Sequence, residues 1–167
     1  MTEPRKAAQL EVARAMLNEP VDGLPELLQI TTATSDDIAA MLRAGVIARP
    51  VRIGGREQCR IQDGIRIDLA LDLTDCGWSM REAADILGGI DWPSFALSVI
   101  GDLVPAALVV RWGGEAELVQ GADVAEAQAG PWDCIDAGTV VDRVLWLWTG
   151  NEQPARESPV VGDVRLA

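Results

Sequence analysis

The chain has no histidine, so the usual general base and the commonest metal ligand are both missing. Its one lysine, Lys6, sits in a terminal segment, and no Walker loop, Cys-x-x-Cys pair or G-x-S-x-G turn occurs. These absences point away from an enzyme, and no catalytic residue, metal ligand or cofactor is assigned. Three cysteines, Cys59, Cys76 and Cys134, are an odd number at wide spacing, which argues against a disulfide framework. They read as small buried apolar residues. Apolar runs are short and interrupted, and no leader pattern opens the chain, so the expected setting is cytoplasmic, with no membrane partner.

What is present is an apolar but acidic chain. Of 167 residues, 49% are hydrophobic and the net charge is −12. That is enough apolar material for one medium domain or two small ones. Against this background the segment 43–66 carries six arginines (Arg43, Arg49, Arg52, Arg56, Arg60, Arg66) and only two acids, Glu57 and Asp63. A basic island in an acidic protein suggests one surface that faces polyanions while the rest repels them. The overall charge opposes non-specific binding to nucleic acid, because phosphate neutralisation dominates such affinity.

Periodicity and capping signals order the chain. Residues 4–18 predict a helix with Ala8, Val12, Ala15 and Met16 on its apolar face, stopped by Asn18, Pro20 and Gly23. A short helix follows over Leu24–Ile30. Thr34 and Asp37 form a capping box for a helix from Ser35 to Ala44, closed by Gly45. Pro50 forbids its return, and Val51–Ile61 alternates around Gly54-Gly55 as a β-hairpin does. Asp63 is expected to cap the next helix, which buries Ile65, Leu69, Leu73 and Cys76 and ends at Gly77. Ser79 and Glu82 box another, with Ala83, Ile86 and Leu87 inward, closed by Gly88-Gly89.

After Trp92-Pro93 the texture turns β-rich. Strands are expected at Leu97–Ile100, Ala107–Trp112, Ala116–Val119 and Trp132–Ile135, with a tight turn at Trp112-Gly113-Gly114-Glu115. Ala122–Gln128 fits helix or loop. Thr139–Asp142 reads as a capping box for a helix through Trp148, and 150–167 as a mobile tail. The expected fold is α+β. It comprises an N-terminal helix (1–19), a helix-turn-helix unit with hairpin (20–90), a small β-rich module with a C-terminal helix (93–149) and the tail.

Gly45-Val46-Ile47-Ala48-Arg49-Pro50, the glycine-tipped hairpin, and Leu73–Leu87 with its Gly77-Trp78-Ser79 turn resemble the MerR-type winged helix-turn-helix superfamily. The resemblance covers roughly residues 20–90. It implies that Leu24–Ile30 is the first helix, Thr34–Ala44 the recognition helix and Arg52–Arg60 the wing. It further implies a bacterial or bacteriophage transcription regulator that binds double-stranded DNA, with Arg43, Arg49, Arg52, Arg56 and Arg60 as DNA contacts. Two departures stand out: Asp36 and Asp37 open the recognition helix, and no heptad coiled coil follows Leu87.

A homodimer is therefore expected to form through the C-terminal module, with Trp112, Trp146 and Trp148 at the partner interface. A core position is the plainer reading for most of the six tryptophans. Acids at Glu115/Glu117 and Asp133/Asp136/Asp142 read as a solvated face rather than a cation site. The alternative is a non-enzymatic adaptor or antagonist that binds a protein partner through its acidic surface.

Overall fold

A computed structural model describes residues 3–96, 99 and 105–150, with side chains from Ala7 onward. The protein is α+β, with two small three-stranded antiparallel sheets among the described residues. The first half runs α1 (Glu3–Leu17), β1 (Pro20–Val21), α2 (Gly23–Ile30), α3 (Ser35–Ala44), β2 (Val51–Ile53), β3 (Arg56–Arg60), α4 (Ile61–Asp75) and α5 (Met80–Gly88). The second half runs α6 (Trp92–Ala96), β4 (Ala106–Val110), β5 (Ala116–Gln120), α7 (Asp123–Ala129), β6 (Asp133–Asp136) and α8 (Ala137–Trp148). Of the strand expected at Leu97–Ile100, Leu97, Ser98 and Ile100 lie outside the described residues, as do 151–167 of the tail, and Val99 is helical rather than extended.

Local chemistry sets most boundaries. Thr34 and Asp37 exchange hydrogen bonds across the start of α3, and Gly45 ends that helix at φ 84°, a left-handed value at which a Cβ is strained. Ser79 and Glu82 do the same for α5. Asp63 caps α4 as expected, but from inside the helix: α4 begins at Ile61, and Asp63, its third residue, accepts from the Arg60 backbone N–H at 2.9 Å. The box expected at Thr139–Asp142 is replaced. Asp136 caps α8 by accepting from the Thr139 N–H at 2.9 Å, three residues earlier than the sequence suggested.

The buried face of α1 differs from the expected one, and that of α4 is wider than expected and stops short of Cys76. On α1, Ala13 and Leu17 are buried, whereas Ala8, Val12 and Ala15 are exposed. An alanine-rich helix carries apolar residues all round, so which stripe faces inward is decided by its packing on α6 and α4. On α4, Ile61, Ile65, Leu69 and Leu73 are buried as their spacing requires, and Ile67, Asp68 and Ala70 are buried too. The helix is central, packed by α8, α5, α2 and α1, while Cys76 at its end is exposed. Cys59 is buried and Cys134 half-buried.

One contiguous cluster of buried side chains runs from Ala13 on α1 to Val144 on α8, so residues on both sides of Gly89–Pro93 share it. Helix α8 lies against α4 and α2 and contributes Val140, Val141 and Val144. Gly64 permits that approach: a Cβ there would stand 3.2 Å from both Ile30 Cδ1 and Val144 Cγ1. Strand β4 is buried along its whole length between β5 and β6. Leu108 and Val110 join the main core, and helix α7 packs on the same sheet. The segment between α1 and α2 is not only a turn. Pro20 and Val21 pair with Arg60 and Cys59, so the first sheet has the order β1-β3-β2.

Candidate nucleic-acid interface

The hairpin β2–β3 is built as its sequence demands. Gly54 and Gly55 take positive φ (59° and 83°) in a two-residue turn, and the register pairs Val51 with Gln58, Arg52 with Glu57, and Ile53 with Arg56. Residues directly opposite in an antiparallel pair point to the same face. Arg56 therefore shares a face with Val51, Ile53 and Gln58, whereas Arg52 stands beside Glu57 on the other. The sequence alone did not separate these two arginines. Val51 and Ile53 are themselves 60% and 57% exposed, so this face is apolar as well as basic.

Arg43, in the last turn of α3, and Arg49, just before the hairpin, are exposed, as are Arg52, Arg56 and Arg60. Among the described residues, the two ion pairs are Arg111–Glu117 and Arg143–Asp68, so neither uses these five arginines. Arg60 has a local partner: its Nη1 donates to Asn18 Oδ1 at 2.9 Å, tying the hairpin base to the end of α1. Arg66, the sixth arginine of the basic segment, turns inward. Its guanidinium lies 4.9 Å over the Trp92 ring, and desolvation pulls its pKa below the usual value.

The two aspartates at the start of α3 differ in use. The Asp37 carboxylate accepts from Thr34 N–H (2.8 Å) and Thr34 Oγ1 (2.7 Å), so its charge is spent on the helix cap. Asp36 is exposed.

The turn between α2 and α3 is held from a distance. Asp68, fully buried on α4, accepts from Thr32 N–H at 2.9 Å and from Thr32 Oγ1 at 3.0 Å. Its second oxygen accepts from Arg143 Nε on α8 at 2.8 Å. A buried carboxylate needs such partners, because leaving it unpaired would cost several kcal/mol. Nothing in the sequence pattern announced this triad, since Asp68 sits in an apolar run and its partners are remote.

Three of the five acids at Glu115/Glu117 and Asp133/Asp136/Asp142 have other uses. Glu117 pairs with Arg111 at 2.8 Å, Asp136 caps α8, and Asp133 accepts from Trp78 Nε1 at 2.7 Å. Among the described residues no three Cys, Asp or Glu side chains are placed to hold a metal ion. No helix among them is long and apolar enough to cross a membrane. Of the tryptophans expected at an interface, Trp112 is 88% exposed and Trp146 51%, while Trp148 packs in part against the core. No family model matches this chain, and no curated protein matches it.

Proposed function

We propose that the protein binds double-stranded DNA through a winged helix-turn-helix formed by α2, α3 and the β2–β3 hairpin, and acts as a transcriptional regulator of bacterial or phage type. The supporting observation is the set of five exposed arginines that runs from the end of α3 through the hairpin. Arg43 and Arg49 flank the exit of the recognition helix, and Arg56 and Arg60 lie along the wing. Side chains of this kind on a hairpin suit phosphate oxygens, which fix register without reading bases. The fixed α2–α3 turn supports the same reading, since a helix presented to a groove must be held rigidly.

The acidic remainder of the chain is consistent with a local reader: it confines contact to the basic face and keeps non-specific affinity low. Association of two copies has narrower support. Val140, Val141 and Val144 of α8 are spent on the protein's own core, which leaves Trp146 as the exposed aromatic of that helix.

A titration of the full chain with duplex DNA at several salt concentrations tests the proposal. Binding whose logarithm falls linearly with the logarithm of salt supports it. Absence of binding at low salt, together with co-purification of a basic protein, supports the adaptor reading instead.

A further inference from the structure

Three tryptophans from separate stretches of the chain meet at one open cleft of about 660 Å³. Trp78 comes from the α4–α5 turn, Trp112 from the β4–β5 turn and Trp132 from the approach to β6. Glu82, Asp85 and Asp133 share its walls, and none of the lining side chains is basic. Each indole N–H is spent on the protein. Trp78 donates to Asp133 (2.7 Å), Trp132 to the Ala127 carbonyl (2.6 Å) and Trp112 to the Pro131 carbonyl (3.3 Å). Ring faces and carboxylates are what the cleft offers a ligand, and both attract cations.

We infer that this cleft is a docking site for an arginine-bearing segment of another protein. A guanidinium is planar, stacks on indole faces and forks onto carboxylates, so it matches both components of the wall. The protein already uses this chemistry: Arg111, outside the cleft, places its guanidinium 5.5 Å from the Trp132 ring while pairing with Glu117. The surroundings carry the complementary charge, with seven acids against two arginines between Pro105 and Gly150. The Cys76 thiol at the cleft wall is raised above its usual value first by desolvation and then by the carboxylates of Asp133, Asp72 and Asp75, the last three adding to the acidic side of the cleft.

Openness selects a protein segment over a free small molecule. Small-molecule sites enclose most of their ligand, whereas Trp112 stands 88% exposed at the rim. A large aromatic in that position is what a protein partner covers. The cleft shares no residue with the arginines proposed to meet DNA, so the two readings stand or fall separately.

The test titrates the full chain, by calorimetry and tryptophan emission, with a six-residue peptide of alternating arginine and glycine, its citrulline counterpart and free arginine amide. The arginine peptide should bind about tenfold more tightly than the other two. Trp112→Ala should weaken it about tenfold, and Asp85→Asn about threefold. Asp123→Asn, on α7 outside the cleft, and the pair Arg52→Ala with Arg56→Ala should leave peptide binding unchanged. The inference is overturned if no peptide binds, or if arginine and citrulline peptides bind alike. It is equally overturned if Trp112→Ala binds as the native chain does, if Asp123→Asn weakens binding as much as Asp85→Asn, or if arginine amide matches the peptide.

Discussion

Arg143 on α8 donates through Nε to Asp68 on α4 at 2.8 Å, and the same carboxylate holds the α2–α3 turn through Thr32. Helix α8 thus helps to fix the α2–α3 turn, which the proposed DNA contact would use. Residues separated by more than a hundred positions, Thr32 and Arg143, share one buried acceptor.

Arg143→Ala should destabilise the protein by about 3 kcal/mol, because it leaves the Asp68 carboxylate buried with only Thr32 as partner. Urea unfolding followed by circular dichroism measures this. A loss under about 1 kcal/mol, the size of an exposed pair, would contradict a structural role for the triad.

Gly130→Ala should displace Trp132. A Cβ at Gly130 would lie 2.2 Å from the indole Cε2 and Cζ2, although the backbone there, at φ −80°, accepts any residue. The cost is steric, about 1–3 kcal/mol for an overpacked contact. It should be accompanied by loss of the Trp132–Ala127 hydrogen bond and a red-shifted emission. Unchanged emission would place the ring elsewhere.

Signals that act within a few residues were legible in the sequence. Thr34 with Asp37, Gly45, Gly54-Gly55 and Ser79 with Glu82 all set their elements as read, because capping and turn geometry are local. Features that needed two distant segments were not. The inward face of α1, the Asp68 triad, the Pro20–Val21 strand and the three-tryptophan cleft depend on packing that no window of residues reports. At the candidate interface the arginines were visible as a group. Their division into an Arg56 face and an Arg52–Glu57 face appeared only with the register.

Stability should fall as the pH rises from about 9 to about 11. Burial, then Asp63 and Glu57, push the Cys59 thiol up from an ordinary 9.0 to about 11. Below pH 9 the thiol keeps its proton in both states. Between the two values the unfolded chain has released it and the folded protein has not, so each step upward favours unfolding. Cys59→Ala should flatten the decline between unfolding midpoints taken near pH 8 and near pH 10.5. Cys76 and Cys134 are also raised, so part of the slope should persist. An identical slope in the variant would remove Cys59 from the cause.

Asp36→Asn should leave stability within about 1 kcal/mol, since Asp37 and Thr34 already form the cap. Removing one exposed negative charge near the proposed phosphate path should raise DNA affinity by roughly twofold, and the gain should fade with salt. Loss of affinity would mean that this end of α3 does not face phosphate.

Arg56→Ala should weaken DNA binding more than Arg52→Ala. Arg52 stands opposite Glu57, which takes up part of its field, whereas Arg56 stands opposite Ile53. Equal losses measured by fluorescence anisotropy at one salt concentration would show that the two faces contribute alike.

The most direct test of DNA contact is the salt dependence of duplex binding for the native chain and for Arg52→Ala with Arg56→Ala. Phosphate contacts from the hairpin predict weaker binding to every duplex sequence tried and a logarithmic salt slope shallower by about 1 to 2, with Arg56 supplying the larger share. An affinity and slope equal to those of the native chain would contradict contact through the hairpin.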